Sequence, residues 1–215
     1  MRDLQAFGMQ LHWLGYGGYR QRHQPGFWDP WRDRYPGLYA IDEGGGGLDG
    51  ALGCQVWPAM VESQLNILGW SDFDGWWLAV GTGTSLAGLV LAEQGRRPVY
   101  GALAVPADHG VPRRLAAILA QAQRADEGYR LIDASRGGFA RIDAELASFL
   151  RDCEEQGMPP LEPLYTGKAL MALRHQLRSG YFPPGSRLVF VHSGGLQGRR
   201  ALDVRLRELA AGAAR

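Results

Sequence analysis

Residues 76–92 read WWLAVGTGTSLAGLVLA: an apolar run, a turn of Gly81-Thr82-Gly83-Thr84-Ser85, then a second apolar run with helical spacing. A strand that passes into a helix through glycines and hydroxyls is suited to hold an anion. The first backbone amides of a helix have no acceptor within it, and the helix dipole puts partial positive charge there. Glycine lets a ligand approach the backbone, and threonine or serine adds donors. Phosphate is the anion such a cradle fits best. The turn is not a GxGxxG with an acid at ribose-binding distance and lacks the Gly-Lys-Ser/Thr of a nucleotide loop, so both of those readings fall. Taken alone, the motif is equally compatible with a ligand-free strand-to-helix turn rich in capping residues.

A second stretch of the same kind, RLVFVHSGGLQGRRAL at 187–202, places His192, Ser193, Gly194 and Gly195 after an apolar run. Glycine loops at the carboxyl ends of strands in an open α/β fold share one rim, where ligands bind. His192, Ser193 and Gly194 are therefore candidates to line the same crevice, although a lone histidine is more often a satisfied core imidazole. Lys168, in LEPLYTGKAL, is the only lysine in the chain, which raises the question of whether it is a catalyst or a surface residue. Cys54 and Cys153 stand far apart with no CxxC spacing and no histidine at metal-ligand intervals. They offer neither a metal site nor a disulfide framework and read as reduced and buried.

Short apolar runs alternating with helix-period segments predict an α/β fold, a mostly parallel twisted sheet covered by helices in three layers. The expected strands are residues 10–14, 38–41, 76–80, 99–105, 129–132 and 188–192; the expected helices are 85–94, 112–126, 142–155, 168–178 and 199–211. Asp143 or Ile142 opens the third helix with Glu145 in its first turn, and Gly157-Met-Pro-Pro closes it. The EGGGG run at 43–47 reads by itself as a flexible loop, and the tail LAAGAAR as a fraying helix end. The 215 residues suffice for one large domain or two small ones, and a net charge of +1 without a basic stripe excludes a nucleic-acid footprint. The longest apolar stretch is interrupted by Gly81 and Gly83, and MRDLQAFGMQ has no apolar signal core, so the chain reads as cytoplasmic, with no membrane partner.

Four stretches, EGGGGLDGALGC, AVGTGTSLAGLV, LEPLYTGKALMAL and GSRLVFVHSGGLQG, in this order and spacing, resemble the C-terminal majority of the D-cysteine desulfhydrase and 1-aminocyclopropane-1-carboxylate (ACC) deaminase family. Its members are fold-type II, tryptophan synthase beta-like enzymes that use pyridoxal 5′-phosphate (PLP). The resemblance implies that Gly81, Thr82, Gly83, Thr84 and Ser85 hold the cofactor phosphate. It also implies that Tyr165 lies against the cofactor near the substrate as a catalytic group, and that Thr166 hydrogen-bonds the pyridine nitrogen. Threonine after this tyrosine resembles the desulfhydrase-like members, whereas ring-opening deaminases have glutamate there. A neutral hydroxyl leaves a weaker electron sink, sufficient for β-elimination. A turn in which Thr166 simply caps the helix is compatible with that role.

The family's Schiff-base lysine lies in an N-terminal Gly-Asn-Lys segment that has no counterpart here, so covalent attachment of PLP is not expected. Lys168 matches a different family lysine, which makes it non-catalytic, at a solvated helix start. Gly46-Gly47 stand where relatives carry Ser-Asn, and Phe139 stands near the place of a tyrosine. By the resemblance, residues 1–42 are a remnant of the smaller N-terminal domain and 43–215 the larger PLP-phosphate-binding domain. The expected function is the C-terminal portion of an enzyme that eliminates and deaminates a small amino acid, releasing ammonia, and that is inactive alone. Its expected partners are the amino-acid substrate, a separately encoded N-terminal piece and a second copy in a homodimer. The alternative is a vestigial binding protein that keeps the phosphate loop without turnover. A blander expectation is marginal stability, because apolar surface would lack the cover that a complete fold provides.

Overall fold

The computed structural model describes residues 2–212. Met1 and residues 213–215, the end of the tail expected to fray, lie outside the described residues. The chain divides into two compact units, Met1–Glu43 and Gly44–Arg215.

The second unit is α/β, as the alternation of runs predicts. Its strands are β1 (Gly75–Val80), β2 (Val99–Leu103), β3 (Tyr129–Asp133) and β4 (Leu188–Val191), all parallel, in the order β3-β2-β1-β4. Leu78 of β1 pairs with Gly101 on one side and Val191 on the other. A strand flanked on both sides and covered on both faces must be apolar throughout, which is why it reads GWWLAV. Helix α1 (Thr84–Glu93) follows β1, α2 (Val111–Gln121) follows β2, α3 (Ala144–Glu155) and α4 (Thr166–Arg178) lie between β3 and β4, and α5 (Asp203–Gly212) follows β4.

Alternate residues of β1 point to opposite faces. Trp76, Leu78 and Val80 pack with Leu86 and Leu89 of α1 and Leu115 and Leu119 of α2. Trp77 packs on the other face with Ala169 and Leu173 of α4 and with Phe182. Its indole N–H donates to the Ala169 carbonyl at 2.8 Å, so the largest side chain of that face is buried without an orphaned donor. Truncating it to alanine would cost about 3–5 kcal/mol.

Local chemistry sets the helix ends. Asp143 accepts from the Leu146 amide at 2.9 Å and caps α3. Gly157, at φ +80°, closes that helix with bonds from its own amide to Glu154 O and from the Met158 amide to Cys153 O. Helix α2 stops at Gln121 rather than 126. Gln123 takes the left-handed conformation (φ 56°), and the Gln123 and Arg124 amides fold back on Ala120 O and Leu119 O, a stop made without glycine. The helix expected over 199–211 is a turn at Leu196–Arg199 followed by α5. Both cysteines are free and buried. No described helix is long and apolar enough to cross a membrane.

In the first unit, residues 10–14 and 38–41 form no strand. A strand needs a neighbouring backbone to complete its ladder, and no described segment of this unit supplies one. Leu38, Tyr39 and Ile41 stand exposed instead. The unit consists of the short helices Arg2–Ala6, Gly15–Arg20 and Asp29–Arg34, joined by side-chain bonds such as Arg22 Nε to Glu43 and Trp28 Nε1 to Asp42, each 2.7 Å.

Candidate phosphate-cofactor site

From β1 the chain steps outward to β2 and β3, then returns to the opposite side of β1 to form β4. The crevice at such a reversal, outside the carboxyl ends of the strands, is where open α/β sheets bind ligands. The two loops that flank it are Gly81-Thr82-Gly83-Thr84-Ser85 and His192-Ser193-Gly194-Gly195. Because β1 and β4 are parallel neighbours, both loops leave the same edge of the sheet.

The first loop is a glycine-dependent cradle. Gly83 precedes α1 at φ +98° with no side-chain cap. The first bond of the helix runs from the Ala87 amide to Gly83 O at 2.9 Å, so the amides of Thr84, Ser85 and Leu86 have no helical acceptor. The Thr82 and Thr84 hydroxyls lie 3.1 Å apart, and Arg114 Nε donates to Thr82 O at 3.2 Å. The Ser85 hydroxyl is paired with the Cys54 thiol, which burial pushes up from its ordinary pKa. A Cβ on Gly81 would lie 2.8 Å from Cε1 of Tyr165, so only glycine lets that ring close over the loop. The EGGGG run serves the same approach. Gly44 is at φ +69°, and a Cβ there would stand 2.7 Å from Thr82 Oγ1. Gly44 thus approaches the Thr82 side chain closely, a contact that the composition of the run does not suggest.

Tyr165 immediately precedes α4 at its N-cap position, and its ring centre lies 5.4 Å from that of Phe139 in the loop after β3. Tyr165, Gly81 and Phe139 are therefore brought together. Thr166 is fully buried, and its hydroxyl turns to Glu162: it receives the Glu162 amide at 3.2 Å and reaches Oε1 at 3.2 Å. The hydroxyl thus ties the turn that precedes the helix and is not bonded to an amide of the helix.

Glu162 escaped the sequence analysis. It is 3% exposed, and its carboxylate accepts from the amides of Leu164, Tyr165 and Thr166 at 2.6–2.7 Å, holding the whole turn that aims Tyr165. Gly195 (φ +88°) packs on it, since a Cβ there would fall 2.7 Å from Glu162 Cγ. Glu162 thus links the Tyr165 turn to the second glycine loop. The signal was present: an acid four residues before the first residue of a helix, where unpaired amides favour a carboxylate.

His192 is exposed, and its ring is used locally: Nδ1 accepts from the Gly194 amide at 3.1 Å and Nε2 donates to Pro160 O at 2.8 Å, which fixes the proton on Nε2. It braces its own loop. Ser193 is exposed beside it.

Lys168 is not at a solvated helix start. It is 1% exposed, and Nζ donates to the carbonyls of Ser135 (2.9 Å), Gly138 (2.8 Å) and Phe139 (2.8 Å). Helix α4 turns its first face inward against the loop after β3, which is why a lysine in the first turn is buried. Burial first, and the Arg136 guanidinium second, lower its pKa from 10.5 to about 8. No cluster of metal-ligating side chains occurs among the described residues.

A parallel sheet with reversed strand order, carrying a glycine-rich turn at a helix N-terminus on its carboxyl edge, is an α/β architecture suited to holding an anion. No family model matches the sequence. The chain is 28% identical over 170 residues to a Pyrococcus horikoshii protein named "Putative 1-aminocyclopropane-1-carboxylate deaminase" and 28% identical over 169 residues to the Pyrococcus furiosus protein of the same name. Each match covers 74% of this chain and 50% of the relative, so the chain spans about half the length of the curated relatives it matches. A solved structure described as "Crystal Structure Analysis of the ACC deaminase homologue" superposes with a TM-score of 0.78 at 22% identity, over 97% of this chain and 65% of that one. The chain is thus similar in sequence to two proteins named putative ACC deaminases and shares the fold of a solved ACC deaminase homologue.

Proposed function

We propose that these 215 residues are the phosphate-holding portion of a PLP-dependent enzyme that eliminates and deaminates a small amino acid. The observation that carries this reading is the cradle of residues 81–85, whose Gly81 admits the Tyr165 ring and whose helix offers amides without helical acceptors. The donor set fits a phosphate: the amides of Thr84, Ser85 and Leu86 and the hydroxyls of Thr82 and Thr84 would hold it. Bound there, PLP supplies a conjugated, electron-withdrawing ring that eases proton loss from the α-carbon of an amino acid. Tyr165 stands against the cradle with a phenol able to hold and pass a proton. Thr166, the residue of the desulfhydrase-like members, must release Glu162 before its hydroxyl can bond a ring nitrogen; as built, it orients Tyr165 through the turn.

Within these residues no lysine is poised to anchor the cofactor covalently. The only one has three carbonyls on its ammonium. Turnover therefore requires a lysine-bearing segment from outside this sequence, whether continuous with it or on another chain. A second reading, a binding protein without turnover, is favoured by Phe139, which places an apolar ring against Tyr165 where a proton donor would be useful.

The test is equilibrium dialysis of the purified 215-residue chain with pyridoxine 5′-phosphate, followed by borohydride treatment with PLP. We expect saturable binding that Thr82→Ala weakens several-fold, no stoichiometric label on Lys168, and no sulfide or ammonia from D-cysteine above the rate with free PLP. Absence of binding would end the cradle assignment. Turnover with label on Lys168 would overturn the requirement for an outside lysine.

A further inference from the structure

The reading above leaves one buried cation without a task. Lys168 rises from the first turn of α4 into the loop at residues 135–139, and three carbonyls of that loop converge on its ammonium. Three carbonyl dipoles aimed at one point repel one another unless a cation stands at the focus. An ammonium has three protons, and here each meets one oxygen. Burying a charge in this way is costly, and the start of a helix has no need of it.

The loop is one that needs holding. Arg136 adopts φ 55° and Gly137 φ 78°. The other charges that face the ammonium are arranged around the same point. Arg136 opposes it, with its guanidinium drawn off by Asp143 at 2.6 Å and Glu145 at 2.7 Å, while Asp143, Glu162 and Asp133 attract it. What the loop delivers is Phe139: its carbonyl is on Lys168, and its ring stands against Tyr165, which closes over Gly81.

We propose that Lys168 is a positioning residue for the phosphate cradle: by gathering the carbonyls of Ser135, Gly138 and Phe139 it fixes the loop whose Phe139 ring backs Tyr165 against Gly81. The last step rests on the cradle reading under Proposed function; the clamp itself does not.

A chain with one lysine makes the test direct, because its single ε-amine can be followed by mass spectrometry during acylation with an N-hydroxysuccinimide acetate. Lys168 should acylate far more slowly in the folded protein than in urea. Saturating pyridoxine 5′-phosphate, which has no aldehyde to react with amines, should slow it by a further factor of about ten, since a ligand that requires the closed loop suppresses opening. Lys168→Met should raise amide exchange at Gly137 and Gly138 selectively and weaken pyridoxine 5′-phosphate binding about tenfold. Methylammonium should restore the protection in Lys168→Ala, a rescue that loss of packing alone would not allow. Acylation as fast as that of the denatured chain would overturn the clamp, as would unchanged exchange at Gly137 and Gly138 in Lys168→Met. Should the variants not fold, the wild-type acylation rate decides. Ligand that binds the wild type without altering acylation would overturn the link to the cradle. Ligand that fails to bind would overturn the proposed function and leave the clamp to be judged by acylation and exchange.

Discussion

The two edges of the sheet use buried charge in opposite ways. At the amino edge, beside the starts of β1 and β2, Arg97 bonds Glu62 at 2.8 Å, Asp72 at 2.7 Å and Glu93 at 3.1 Å, with its guanidinium over the Phe73 ring. Glu93, 1% exposed, also receives the Trp76 indole N–H at 2.7 Å. Side chains there satisfy side chains. At the carboxyl edge, Lys168 and Glu162 bond mainly to backbone, carbonyls in one case and amides in the other. A closed ion network braces a sheet and offers a ligand nothing. Charges committed to loop backbones hold those loops in place and leave the first amides of α1 as the groups still to be satisfied. Stability is concentrated at one edge and placement at the other.

The strongest way to break the contrast is Glu93→Ala. Removing this carboxylate leaves the largely buried Arg97 short of a partner and the Trp76 indole without an acceptor. Breaking a buried pair from one side costs about 3–5 kcal/mol. Urea unfolding should show a loss of that order, while pyridoxine 5′-phosphate binding by the folded protein stays the same. A loss below about 1 kcal/mol would make the amino edge equivalent to a surface ion pair.

The next effect is a pH dependence from the other edge. The Lys168 pKa is lowered from 10.5 to about 8, by burial first and by Arg136 second. Below pH 8 the folded and unfolded chains both carry the proton, and the folded state bears the full cost of the buried charge. Between about pH 8 and 10.5 the unfolded chain keeps a proton that the folded chain has released, so this group's contribution to stability rises with pH. It gains about 3 kcal/mol across the window. Urea unfolding should show the wild type gaining stability relative to Lys168→Met from the lower to the upper end of that window. Absence of that relative gain would mean that Lys168 titrates as a solvated amine.

The contrast also sorts what was legible in the sequence. The central strand and the glycine-hydroxyl turn that leads from it into the next helix were, because a strand buried on both faces must be apolar and glycine marks a tight turn. The expected strands at 10–14 and 38–41 were not, because pairing is a property of the neighbour and the sequence pattern does not reveal its absence. Lys168 was misjudged for a related reason. Its carbonyl partners lie 29, 30 and 33 residues earlier in the chain, and local spacing shows only a lysine in a first helical turn. The glycines at 44–47 looked like slack because the contact that requires one of them, Gly44 on Thr82, joins distant segments. Glu162 was legible in principle: all its amide partners lie within four residues.

Glu162→Gln is the finest test of that division. The substitution keeps the shape of the side chain and one carbonyl oxygen, which can still accept from the Tyr165 and Thr166 amides now on Oε1. It replaces Oε2, the acceptor for the Leu164 amide, with an NH2 group that faces a donor. One buried hydrogen bond to a charged group becomes an unmatched pair of donors, for a stability loss of about 1–2 kcal/mol by urea unfolding, less than for Glu93→Ala. If the carboxyl edge governs placement, binding should report the change out of proportion to stability, because this turn aims Tyr165 over Gly81 and supports Gly195 of the facing loop. Pyridoxine 5′-phosphate affinity should fall several-fold at a urea-free pH where the variant is fully folded. A variant that lost stability yet bound the ligand as the wild type does would show that the carboxylate only braces, as Glu93 does at the opposite edge.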